Sequence, residues 1–129
     1  MTGERKGEKM NIEELRDYCM SKKSVEETLP FGPETLVFKV LGKAFLLTGF
    51  DSNPLQFNVK CDPEKAIELR EQYTCVLPGY HMNKKHCNTI IADGAVSNKL
   101  LQEWITDSYN LVVSGLTKVQ QKKLLKKNN

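Results

Sequence analysis

Between His81 and Cys87 the sequence sets two histidines, an asparagine, two lysines and a cysteine into seven consecutive positions, inside the longer run PGYHMNKKHCNTIIADG of residues 78–94. These residue types could serve three chemistries. As a metal site, His81, His86 and Cys87 supply three donors where a closed site needs about four. Their spacing, H-x4-H-C, matches no metal motif with a known mechanism, and an extended backbone over 86–92 sends His86 and Cys87 to opposite faces. As a nucleophile, Cys87 needs a base beside its thiolate. Its neighbour on a strand cannot reach it, which leaves His81 from across the loop. As a nucleic-acid contact, Lys84 and Lys85 sit at a loop tip, with His81, Asn83 and His86 beside them to meet phosphates. Against all three stands a plain turn: asparagine tolerates left-handed backbone, and flanking histidines fix a loop by donating to its carbonyls.

Elsewhere the chain holds no paired carboxylates, glycine-rich phosphate loop or nucleophile elbow. The expectation is no catalytic centre, no metal and no cofactor. The four cysteines, Cys19, Cys61, Cys75 and Cys87, include no C-x-x-C pair, and no secretory h-region opens the chain. Four reduced, separated thiols in a cytoplasmic protein are expected.

The elements that would position the loop are read from periodicity and caps. Residues 1–9 are polar and charged after Met1 and read as disordered, leaving one domain over residues 10–127. Asn11 with Glu14 forms a capping box opening a helix to about Lys23, with Ile12, Leu15 and Cys19 on one face. TLPFGPE (28–34) is a breaker. LVFKVLGKAFLLTGF then reads as two strands around a Gly42-Lys43 turn, which places Lys43 at a second tip. Pairing Leu41 with Ala44 sets Leu36, Phe38, Val40, Phe45 and Leu47 on one apolar face.

LQFNVK alternates cleanly as a half-buried strand. Asp62-Pro63 caps a helix through about Tyr73, and TCVL and CNTIIA are short β-rich runs on either side of the polar loop. Ser97 caps an amphipathic helix with Leu100, Leu101, Trp104, Ile105, Leu111 and Val112 on its apolar face, so Trp104 reads as a core anchor. Gly115 ends that helix, and Thr117 with Gln120 caps a lysine-rich last one. Hairpin-linked strands between helices indicate an α+β two-layer sandwich on an antiparallel sheet.

The formal charge of +3 hides an asymmetry. The last twelve residues hold five lysines and no acid, so the rest carries 14 basic against 16 acidic groups and sums to −2. Only a local patch or the tail could serve a polyanion.

Pro78, His81, Met82, Asn83, Lys84, His86, Asp93 and Gly94, with the PFG of 30–32 and the VFKV of 37–40, resemble the MmcQ/YjbR family of small bacterial proteins. The resemblance covers about residues 10–125. One residue departs: the family's usual tryptophan is Cys87 here. The resemblance implies a CyaY-like fold and binding of double-stranded DNA through a double-wing arrangement of hairpins, the wings here being the Lys43 turn and the His81–His86 loop. The competing expectation is a small protein-interaction module whose His-Asn-Lys turn is structural. A monomer without membrane attachment is expected in either case.

Overall fold

In the computed structural model, residues 9–50, 53–79 and 84–126 are described. His81 and Asn83, with Lys127 and the N-terminal residues 1–8, lie outside them. Asn11 opens helix α1 (Ile12–Met20) through the expected capping box: its side chain accepts from the Glu14 N–H at 2.8 Å, and Glu14 accepts from the Asn11 N–H at 3.0 Å. Helix α2 (Pro63–Gln72) starts from the Asp62 cap with proline in its first turn. Helix α3 (Asn98–Ser114) starts from Ser97 and stops at Gly115. Helix α4 (Lys118–Lys126) opens on reciprocal Thr117–Gln120 hydrogen bonds of 3.1 Å.

Among the described residues six strands form one antiparallel sheet: β1 (Val25–Thr28), β2 (Thr35–Val40), β3 (Lys43–Gly49), β4 (Leu55–Lys60), β5 (Val76–Pro78) and β6 (Cys87–Ala92). Their spatial order is β1-β2-β3-β4-β6-β5. Strand β1, VEET, has no apolar alternation and is not foreseen by the sequence pattern. It forms by backbone pairing to β2, from Val25↔Val40 to Thr28↔Val37.

The hairpin corrects the expected register. Val40 pairs with Lys43, so the two turn residues are Leu41 and Gly42, not Gly42 and Lys43. Both have positive φ, +48° and +84°, the geometry whose twist matches the flanking strands. A leucine resists that backbone, but Leu41 also packs against the core, which offsets the strain. A bulge follows: Lys39 pairs with Ala44 and Phe38 with Leu46, leaving Phe45 as the extra residue. The slip turns Leu46 into the core where Leu47 was expected, while Phe45 stays buried.

One core joins the two layers. Leu36, Phe38, Val40, Phe45, Leu46, Phe57, Val59 and Ile90 meet Leu15 and Cys19 of α1, Leu69 of α2, and Leu101, Trp104, Ile105 and Tyr109 of α3. Trp104 is buried with its ring 5.1 Å from that of Tyr73, and Tyr109 meets Phe45 edge-on at 5.4 Å. Leu111, expected on the apolar face, is 41% exposed. At the bulge, the Ser108 hydroxyl of α3 donates to the Phe45 carbonyl at 2.5 Å and accepts from the Lys60 N–H at 2.9 Å. It plugs the gap where β3 and β4 part. Among the described residues no helix is long and apolar enough to cross a membrane.

Candidate nucleic-acid interface

Strand direction decides where the lysine tips fall. β3 and β6 each run antiparallel to β4, so both start at the same end of the sheet. Leu46, Val59 and Asn88 form one row across the three strands. From that row, Lys43 lies three residues toward the end on β3 and His86 two residues toward it on β6. The lateral separation is two ladder steps, roughly 10 Å. Lys84, Lys85 and Lys43 are all exposed, and His86 is exposed beside them. Lys60, at the end of β4, lies between the two tips, and Lys39 pairs with Ala44 one step inside the turn.

Other cations reach this end with different duties. Lys22 and Lys23 follow α1 where β1 begins, but the Lys22 ammonium donates to the Thr106 hydroxyl at 2.8 Å and sits 4.7 Å from the Tyr18 ring centre. It belongs to the packing of α1 on α3. Acids are present too: Glu26 is the ladder partner of Lys39, and Asp62 caps α2.

The loop before β6 is fastened from three directions. The Cys61 N–H donates to the His86 carbonyl at 2.7 Å, tying the loop to the end of β4. On the other side, the Gly79 N–H donates to the Cys87 carbonyl at 3.0 Å. A Cβ at Gly79 would stand 2.9 Å from both the Cβ and the carbonyl oxygen of Cys87, so only glycine brings the backbone this close. From α2, the Arg70 guanidinium donates through Nε to Asn88 Oδ1 at 2.7 Å, and through Nη2 to the Cys87 carbonyl at 3.4 Å and to the Lys84 carbonyl. Asn88 is buried and in turn donates to the Ala66 carbonyl at 3.4 Å.

The thiols are arranged for packing. All four cysteines are free; Cys19, Cys75 and Cys87 are buried and Cys61 is half-buried. Burial pushes the Cys19 thiol up to about 12 and also raises Cys61 and Cys75, the opposite of what activates a nucleophile. Among the described residues no three histidine, cysteine or acidic side chains gather as a metal site would require.

The lysine-rich helix is less loose than its sequence suggests. Leu124 is 7% exposed and joins the core, while Lys118, Lys122 and Lys123 face outward. Sequence reasoning also missed Arg70, whose partners include carbonyls 14 and 17 residues away. No side-chain pattern carries that information.

A family model described as YjbR matches residues 20–111. The uncharacterized protein YbdF of Escherichia coli O157:H7 is 44% identical over 100 residues, covering 78% of this chain and 82% of the relative. The uncharacterized protein YjbR of Escherichia coli K12 is 30% identical over 116 residues, covering 90% and 98%. Among solved structures, the Deinococcus radiodurans protein DR2400, a DUF419 domain, superimposes with a TM-score of 0.82 at 42% identity, over 88% of this chain and 87% of that one. A Pseudomonas syringae protein superimposes with a TM-score of 0.68 at 27% identity, over 79% and 98%.

Proposed function

The chain belongs to the YjbR family, and on that premise we propose that it is a non-enzymatic module that holds double-stranded DNA by its phosphates. The observation that carries this reading is the shared end of the sheet: the Lys43 turn and the Lys84–Lys85 loop emerge together, with Lys60 between them. Lysines at loop tips meet phosphate oxygens as point charges and read no base edge, so the binding is weak and largely independent of sequence. His86 adds a contact beside the lysines, and the outward lysines of α4 add field; His81 and Asn83 lie outside the described residues. A body of net charge −2 keeps the affinity low.

The test is a titration of a labelled duplex at low and moderate salt. Wild type should bind in the range of roughly 10⁻⁴–10⁻⁶ M at physiological salt and weaken steeply as salt rises. Replacing Lys84 and Lys85 with alanine should reduce the salt slope by about two units. A companion variant, K118A/K122A/K123A, tests the last helix without removing Leu124 from the core. Loss of binding in that variant alone would make the loop a structural turn. No binding at low salt would refute the reading.

A second reading, docking of a protein partner, is favoured by Leu29, Phe31 and Phe50. They are exposed on neighbouring loops at the opposite end of the sheet, where the Phe50 N–H donates to the Glu34 carbonyl at 3.3 Å. Binding through that apolar end would hardly respond to salt.

A further inference from the structure

We propose that Arg70 is the positioning residue of the lysine loop, holding Lys84 and Lys85 in the arrangement that meets phosphate while touching no phosphate itself. The inference rests on the DNA reading above and deepens it. Three observations carry it. The Arg70 guanidinium reaches the loop from α2 with a donor to the Lys84 carbonyl, a donor to the Cys87 carbonyl and a donor to Asn88 Oδ1. It thereby bridges the helix to both ends of the turn that carries Lys84, Lys85 and His86. Its anchor is firm, because Asn88 is fully buried and bonded back to Ala66 on the same helix. Only a planar fork with several fixed donors can span those acceptors; the single ammonium of lysine cannot.

The chemical consequence concerns order. A loop fixed before binding loses little conformational freedom when a ligand arrives, whereas a loose one loses it during association and binds more weakly. Arg70 therefore acts on affinity through Lys84 and Lys85. Its own donors are taken up by the Lys84 and Cys87 carbonyls and by Asn88 Oδ1.

The experiment compares wild type, R70K, K84A/K85A and the combined variant by duplex titration, with amide hydrogen exchange of residues 84–87 measured on each free protein. R70K keeps the charge and most of the stem but cannot make the fork. Its loop amides should exchange faster, and its affinity should fall roughly three- to tenfold, the scale of ordering one rotamer-rich side chain on binding. Its salt slope should match wild type. In the K84A/K85A background the same substitution should change affinity little, since the groups it positions are gone. Unchanged loop exchange in R70K would overturn the proposal, as would an equal loss of affinity in both backgrounds. A wild-type protein that binds no duplex would refute the DNA reading, and loop exchange would still decide whether Arg70 fixes the loop. R70Q, which also lacks the fork, should show the same exchange and checks that lysine itself introduces no new contact.

Discussion

Replacing Ser108 with alanine isolates the contact that lets the sheet carry its bulge. The hydroxyl satisfies two backbone groups that the ladder cannot: the carbonyl of Phe45, displaced by the bulge, at 2.5 Å, and the N–H of Lys60 at 2.9 Å. Ser108 is fully buried, so water cannot replace it without opening the core. Each buried polar group left without a partner costs about 1–3 kcal/mol, and the lost volume is small because alanine keeps the Cβ. The expected loss is about 2–6 kcal/mol. For a chain of this length each kcal/mol lowers Tm by roughly 4 °C, so S108A should melt roughly 8–24 °C below wild type. Urea unfolding should show a lower midpoint at unchanged slope, since the surface exposed on unfolding is the same. S114A removes an exposed hydroxyl bonded to the Leu111 carbonyl and serves as the control, expected within about 0.5 kcal/mol of wild type. A loss in S108A below about 1 kcal/mol would show that the bulge satisfies its backbone by another route, and the reasoning would fail.

Two further outcomes follow from contacts elsewhere in the core and at the loop. G79A should cost about 1–3 kcal/mol, because the new methyl meets both side-chain and backbone atoms of Cys87 and the edge strand must move; a melt within about 1 °C of wild type would refute it. The buried Cys19 thiol, ordinarily near 9.0 and here pushed up to about 12, stays protonated in the folded chain over a range where the unfolded chain ionises. Its contribution to stability is thus complete below pH 9 and disappears as pH rises toward about 12, at up to about 1.4 kcal/mol per pH unit. Urea midpoints measured from pH 8 to 11 should fall in wild type and fall less steeply in C19A; parallel profiles would contradict the assignment.

Legibility in the sequence follows the range of the interaction. Asn11 with Glu14, Asp62 before Pro63, and Ser97 announce helix starts because a cap acts within three residues, and all three caps form. The alternation of Leu55, Phe57 and Val59 marks β4 for the same reason. The β2–β3 register departs from expectation because glycine is the residue expected first in a tight turn, whereas Leu41 accepts a left-handed backbone in exchange for packing. The bulge at Phe45 depends on Ser108, 63 positions away, and no local rule reports it. β1 is invisible to periodicity because an edge strand with polar side chains is held by its backbone. Of the candidate site, the lysines are legible by type, but their shared end requires the strand order, and Arg70 requires the carbonyls it holds.

The placement of α3 has a consequence for how the chain is made. Strands β1 to β4 are complete by Lys60, yet the apolar side of that meander is closed by Leu101, Trp104, Ile105 and Tyr109, which emerge from the ribosome far later. At roughly 5–20 residues per second, the interval from Lys60 to Ser114 lasts about 3–10 s. During it Phe38, Phe45 and Phe57 lack the α3 part of their cover and begin with only α1 beside them, and a nascent chain stalled before Trp104 presents a sticky half-sheet to chaperones and to its neighbours on the polysome. Any fragment that ends ahead of α3 inherits the same exposure.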